Sequence, residues 1–383
     1  MRGNFYHMLI IYPSLALGLF ECRQAYAPPE ITNPNRFLVV DGFINLSPNS
    51  ITTFNLNRTR NLGDTTVAGI PELNARMAIV GSGSDSFPLI DRIRTGRYTS
   101  DPITLDPTQQ YRLSITTGDG QQFSSDPVPG ELTPPIDSVF WRQPSNLNLY
   151  IATHDPTGNT RYYRYDYNET WEHDSQLEAI YGVANHMMFA VDSIRQKHRC
   201  WTTDTSAAVL ITTSSTLTRD VIDSFNVVTI PNGDPRVTKI YSILVRQYAI
   251  TKDAYDYWQL IRKTSQDVGT LFDVQPTQLT GNIHCTSDPS VPVIGFLSAC
   301  TAQQQRIYIA ESSLHDWIHN QPGFGCDTLS IAFSFADPFA YNYPDTTYAP
   351  YYFDGAALVL ASKICLDCTL LGGSTIRPPF MPD

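Results

Sequence analysis

The run Arg161-Tyr-Tyr-Arg-Tyr-Asp-Tyr-Asn-Glu-Thr-Trp171 constrains the fold more than any other stretch of the chain. It is rich in residues that fit a pleated, half-buried surface, and it reads with a period of two. Because successive side chains of a strand point to opposite faces, Tyr163, Tyr165 and Tyr167 share one side with Glu169. Tyr162, Arg164, Asp166, Asn168 and Thr170 share the other. The tyrosine side is either a core face whose hydroxyls reach the rim or a platform on which a ligand stacks. A core face is the expectation, since tyrosine buries a large apolar ring while its hydroxyl still finds a partner.

Shorter runs of the same kind recur. Phe37 to Asn45 reads as a buried strand, followed by Ser50 to Asn57, Ala75 to Val80 and Gly96 to Thr99. Tyr111, Leu113 and Ile115 alternate with polar residues before Gly118-Asp119-Gly120 turns the chain into Gln121 to Ser125, a hairpin signal. After Leu132-Thr-Pro-Pro-Ile136, a stiff linker, strands resume at Ser138 to Trp141, Asn148 to Thr153, Tyr241 to Ile250 and Arg306 to Ala310. One helix is expected after Thr251, which can cap it. Asp253 stands in its first turn, and Ala254, Tyr257, Trp258 and Ile261 recur at helical spacing up to about Thr264. Phe339 to Phe353, crowded with Tyr and Pro, reads as an ordered loop, and Ala356 to Ala361 as a helical turn or strand.

The expected fold is therefore mainly β: two antiparallel β-sandwich domains, immunoglobulin- or prealbumin-like, the second with an inserted helix and disulfides. Residues 36–131 form the N-terminal sandwich and 136–383 the C-terminal domain. The length of 383 residues suits two domains, and 42% hydrophobic against 16% charged residues excludes a disordered tail or a coiled coil. A formal charge of −11 repels phosphate backbones, which argues against nucleic acid as a partner.

Arg2 followed by the apolar run from Met8 to Phe20 has the order of a secretory signal peptide, so residues 1–21 are read as a signal and 22–35 as anchor and leader. Cys22 follows the apolar run at once, the place of the diacylated cysteine of a bacterial lipoprotein. Glu21 stands where such signals carry a small residue, and Ala25-Tyr26-Ala27 is the rival cleavage site. If Cys22 carries lipid, the other six cysteines, Cys200, Cys285, Cys300, Cys326, Cys365 and Cys368, can form up to three disulfides, and the odd total favours that reading. The Cys365-Leu-Asp-Cys368 pair has redox spacing but no helix N-terminus to activate a thiolate, so a structural disulfide is expected there.

Motifs that carry catalysis are missing. His315 and His319 lie four apart, as zinc ligands on one helix face do, but Asp316 stands where a metalloprotease has Glu and no third ligand follows; two surface histidines on a short helix are expected. There is no Gly-Xaa-Ser-Xaa-Gly elbow, Gly-rich phosphate loop or EF-hand. No residue is assigned a catalytic role, and no cofactor or metal is expected.

Several segments, in order, resemble the domain of unknown function 4249 family. They are Phe37-Leu-Val-Val-Asp-Gly-Phe-Ile-Asn45, Arg58-Thr-Arg-Asn-Leu62, Tyr111-Arg-Leu113, Thr133-Pro-Pro-Ile-Asp-Ser-Val139, Glu169-Thr-Trp171 and Cys200-Trp201. Tyr241-Ser-Ile-Leu-Val-Arg-Gln-Tyr248, Gly281-Asn-Ile-His-Cys285, and Cys365-Leu-Asp-Cys368 with Gly372-Gly373 complete the set. The resemblance implies an exported lipoprotein of Bacteroidota-type bacteria, anchored at the outer membrane and typically encoded beside a TonB-dependent barrel, and it implies no catalytic residues. The expected function is a non-enzymatic accessory to that transporter, capturing or presenting a nutrient. Phe339 to Phe353 offers tyrosines for the contact. The alternatives are a stand-alone glycan- or peptide-binding module using the Tyr163, Tyr165 and Tyr167 row and, behind it, a hydrolase with carboxylates that sequence spacing does not reveal. Arg23-Gln24-Ala25-Tyr26 lacks the acidic cluster of surface-exposed lipoproteins, which leaves the leaflet open.

Overall fold

Alternation in sequence becomes alternation in burial. The computed structural model describes residues 37–60, 69–83, 85–184, 187–191, 197–265, 281–318, 325–332 and 347–382, and they are mainly β. In Gln110–Thr116, Tyr111, Leu113 and Ile115 are buried while Gln110, Arg112 and Ser114 are exposed. This strand pairs antiparallel with Arg76–Gly81 and, through the turn at Gly118 to Gly120, with Gln122–Ser125. Leu38–Asn45 pairs antiparallel with Thr53–Arg58, which takes Arg97–Thr99 on its other side. Leu38, Val40, Ile44, Phe54, Ile79 and Phe123 meet in one apolar cluster, each burial contributing roughly 1.5–3 kcal/mol.

This first sheet is not confined to residues 36–131. Ile283–Cys285 adds antiparallel beside Phe123–Ser125, Val293–Ile294 runs parallel to Leu38–Val39, and Ala299–Cys300 wedges parallel between Ile44–Asn45 and Gly130–Glu131. Ile283, Val293, Leu297 and Ala299 join the same apolar cluster. A domain cut at 131–136 therefore leaves part of the first core on the wrong side of it, and residues 37–383 form one compact unit. The inserted segment lies very close: a Cβ on Gly295, at φ +147°, would come within 2.4 Å of the Val40 carbonyl oxygen. The connection at 132–136 is pinned as well. Thr133 Oγ1 accepts from Ala249 N at 2.9 Å, and buried Gln247 donates to the Pro134 carbonyl at 2.8 Å.

Beyond it, Ile136–Arg142, Leu147–Asp155 and Asp220–Ile230 make a three-stranded antiparallel sheet. A five-stranded sheet is centred on Tyr162–Asp174, with Arg199–Thr205 and Leu210–Thr213 on one edge, Ile240–Ala249 on the other, and Ala302–Ala310 outermost. One apolar cluster draws Leu149 and Ile151 from the first of these sheets and Tyr163, Tyr165, Tyr241 and Ile243 from the second. Lys252–Ser265 is the expected helix; Thr251 Oγ1 accepts from Ala254 N at 3.2 Å, and Ala254 and Tyr257 are buried.

In the last segment Thr328–Ala332 and Tyr348–Phe353 flank Ala357–Ser362. Tyr348–Phe353 is thus a half-buried strand where the sequence suggested a loop; the rest of Phe339 to Phe353, through residue 346, lies outside the described residues. Proline survives there because the strand is an edge and its register shifts between Pro350 and Tyr352.

The cysteines pair differently from expectation. Cys200 bonds Cys368 and Cys326 bonds Cys365, so Cys365 and Cys368 do not bond each other. Cys365 belongs to the helical turn Lys363–Leu366, whereas Cys368 opens a new turn after Asp367, whose carboxylate caps it at Thr369 N (3.0 Å). Cys285 and Cys300 are free and buried in separate apolar clusters, which rules them out as a third pair and makes them small apolar side chains. Burial pushes the Cys300 thiol up to about 12. With two free thiols, the odd cysteine total no longer argues for a modified Cys22, and Cys22 itself lies outside the described residues, as do residues 1–36.

Candidate functional site

The two faces of Tyr162–Asp174 have opposite fates. Tyr163 and Tyr165 are 0% and 1% exposed. The Tyr163 hydroxyl donates to the buried Asp220 carboxylate, as Ser214 does, and the Tyr165 ring stacks on Phe225 at 5.0 Å. The tyrosine row is core, which removes the motive for a ligand platform there. Arg164, Asp166 and Asn168 instead face a cleft of about 790 Å³ at the junction with the first sheet.

Register with the neighbouring strand builds its floor. Arg164 lies opposite Tyr248, and Asp166 opposite Arg246. The Arg246 guanidinium donates to the Asp166 carboxylate and to the Asn168 amide oxygen, while Asn168 Nδ2 donates to Thr205 Oγ1 at 2.7 Å. Burial, reinforced by the Asp166 carboxylate, pushes the Tyr248 phenol well above the ordinary range and keeps it a protonated donor.

The opposite wall comes from the first sheet. Asp41 pairs in register with Asn55 and Phe43 with Thr53, and Arg97 follows on the next strand. Asn55 Nδ2 donates to Asp41 at 3.3 Å. The Phe43 ring meets Tyr248 edge-on at 4.8 Å and closes the apolar base. Between Asp41 and Phe43, Gly42 takes φ +147°, and a Cβ there would lie 2.5 Å from the Thr53 carbonyl oxygen. The Phe37 to Asn45 motif therefore supplies a core strand and a cleft wall at once.

The electrostatics are uneven. Arg97, Arg164 and Arg246 line the cleft against Asp41 and Asp166. Arg246 is engaged by Asp166. Arg164 instead lies over the Trp258 ring, its Cζ 4.1 Å from the centroid, and neither it nor exposed Arg97 has a carboxylate partner among the described residues. The arrangement offers guanidinium forks, amides and hydroxyls to a polar ligand.

The histidine motif is different from its expectation. His315 sits in an exposed bend, not on a helix, held by Gln143, whose amide accepts from His315 N at 3.0 Å and donates to its carbonyl at 2.7 Å; His319 lies outside the described residues. Among the described residues no group of three or more His, Cys, Asp or Glu side chains is assembled as for a metal ion.

One arrangement that no sequence spacing signalled is a serine, histidine and aspartate in line. Ser175 Oγ is 2.9 Å from His198 Nδ1, and His198 Nε2 is 3.4 Å from Asp174. Yet Ser175 is 3% exposed and its hydroxyl donates to the Leu177 carbonyl at 2.8 Å, so the imidazole donates to the hydroxyl and does not receive its proton. Asp174 is held by Lys239 at 2.6 Å. This is a structural clasp, lacking the exposed nucleophile and base pairing of covalent catalysis.

On Arg161 to Trp171 the cleft residues stand on the polar face, opposite the buried tyrosines. Period two placed Arg164, Asp166 and Asn168 together; that Asp41, Asn55 and Arg97 stand opposite them could not be read from spacing.

Residues 25–306 match the family model described as Domain of unknown function (DUF4249). The match takes in every cleft residue and ends before the Cys365 to Cys368 segment. No curated protein matches the chain.

Proposed function

The chain belongs to the DUF4249 family, and from that membership we propose that it is an exported, non-enzymatic outer-membrane lipoprotein that captures a small polar nutrient in the junction cleft and presents it to a TonB-dependent barrel. The observation that carries this reading is the cleft itself: it has the volume of a small-molecule site and a largely polar lining built on strands, which hold side chains more firmly than loops do. The signal-like order of residues 1–21 and the position of Cys22 support export and anchoring. The half-buried tyrosines of Tyr348–Phe353 are candidates for the barrel contact.

The test is affinity purification of the tagged protein from native membranes in mild detergent, with mass spectrometry of its partners and its own N-terminal peptide. Recovery of a TonB-dependent barrel together with diacylated Cys22 is the expected result. A solitary protein with a free N-terminus at Pro28 would overturn the accessory role and leave a secreted binding module.

A further inference from the structure

We propose that the junction cleft recognises a small hydroxylated ligand through an oxyanion, a carboxylate or a phosphate, held between Arg97 and Arg164. The inference rests on reading this cleft as the capture site and names the class of ligand it takes.

The argument is one of charge left over. In a chain of formal charge −11, the cleft carries three arginines against two aspartates. Arg246 and Asp166 satisfy each other; Asp41 accepts from the neutral Asn55 amide and keeps its charge, so three arginines less two aspartates give the cleft a net charge of +1. That leaves Arg97 and Arg164 facing the same cavity with no carboxylate partner among the described residues. Arg164 is held in place: its guanidinium lies over the Trp258 ring, its strand is paired on both edges, and its cross-strand neighbour is Tyr248. A guanidinium held by a cation–π contact makes no hydrogen bond through that contact, and its planar fork of N–H groups suits a carboxylate or phosphate through two hydrogen bonds. A cleft with low-dielectric walls also focuses the field of such groups, so an otherwise acidic protein can still draw an anion into this one place. Thr53 and Ser206 add hydroxyls to the lining, and the Phe43 and Tyr248 rings form the apolar base against which the carbon frame of a polyol packs.

The test is isothermal titration of the purified protein with galacturonate, glucose 6-phosphate and uncharged glucose, for the wild type and for Arg164→Gln, Arg97→Gln and, as a control outside the cleft lining, Arg92→Gln, each verified as folded by circular dichroism. Galacturonate or glucose 6-phosphate should bind and glucose should not. Whichever anion binds tells a carboxylate ligand from a phosphate one. Binding should weaken about tenfold or more in R164Q and R97Q, weaken with added salt, and stay unchanged in R92Q. Anion binding indifferent to R164Q and R97Q overturns the proposal, as does failure of both anions to bind. Equal binding of glucose, lost in the cleft-filling variant Thr205→Trp, overturns the anionic class while leaving capture in the cleft intact. Loss of the barrel in the membrane purification would instead remove the accessory role without touching this result.

Discussion

At the scale of single residues, the molecule shows how much a side chain's meaning depends on its partner. Asp220, Glu169 and Glu131 are all acids on or beside strands. Asp220 receives two hydroxyls, and Glu169 receives the Arg236 guanidinium at 2.8 Å and the Tyr241 hydroxyl at 2.6 Å. Such pairs are costly to break, since removing one partner strands a buried charge. Glu131 has no such partner among the described residues, and burial alone pushes its carboxyl above the usual range. The sign follows: the folded state holds this proton more tightly than the unfolded chain, so Glu131 subtracts stability as pH rises from the ordinary carboxylate range through the raised folded value. Glu131→Gln should therefore raise the melting temperature at pH 7 more than at pH 4. Equal shifts at the two pH values in thermal melts would show that Glu131 ionises freely in the fold.

At the scale of elements, one strand repeatedly serves two tasks. Leu38–Asn45 buries Leu38, Val40 and Ile44 in the core and turns Asp41 toward the cleft, and Gly42 lets it do both. The positive φ and the 2.5 Å approach to the Thr53 carbonyl leave no room for a side chain. Gly42→Ala should cost about 3 kcal/mol or more, from backbone strain and from the shift it forces on Thr53–Arg58. Chemical denaturation measures this directly, and an unchanged midpoint would mean the strand pair separates at little cost. Tyr162–Asp174 has the same division, with aromatic residues inside and Arg164, Asp166 and Asn168 outside. The disulfides act at this scale too: Cys200–Cys368 ties the last segment to Arg199–Thr205 across a separation of 168 residues, a closure worth about 5 kcal/mol in the chain-entropy account.

At the scale of the whole molecule, the decisive feature is that residues 283–300 return to the first sheet before the chain re-enters the second sheet at Ala302–Ala310. The two halves share strands, and Tyr248, Ile250, Ala254 and Cys300 form a core between them with Phe43 and Phe296 packed against it. A fragment of residues 37–131 should therefore fail to fold alone, and the body of the protein should melt in one cooperative transition. Calorimetry of the intact chain and circular dichroism of the fragment test this together. A stable fragment, or two separate melts, would restore the boundary at 132–136. The cleft exists only because the halves are joined: Asp41, Asn55 and Arg97 belong to one sheet, and Arg164, Asp166 and Arg246 to another.

What the amino-acid order determined by itself was local. Strand patterning marked Phe37 to Asn45, Tyr111 to Ile115, Arg161 to Trp171 and Tyr241 to Ile250 but passed over Arg199–Thr205 and Asp220–Ile230; the Thr251 cap marked the helix, and the alternation of Arg161 to Trp171 put Arg164, Asp166 and Asn168 on one face. These properties depend on neighbours one to four residues away, and such neighbours are visible in a sequence. Tertiary structure alone decided the rest. Strands of two or three residues such as Val293–Ile294 and Ala299–Cys300 are too short to carry a pattern, and they exist because an existing sheet edge pairs with them. The same holds for the cysteines, whose bonding follows from which turn aims each sulfur and which core encloses it. It holds as well for Arg97 and Arg164, which have no carboxylate partner among the described residues; no spacing could reveal this, because it is a property of everything that surrounds a residue in space.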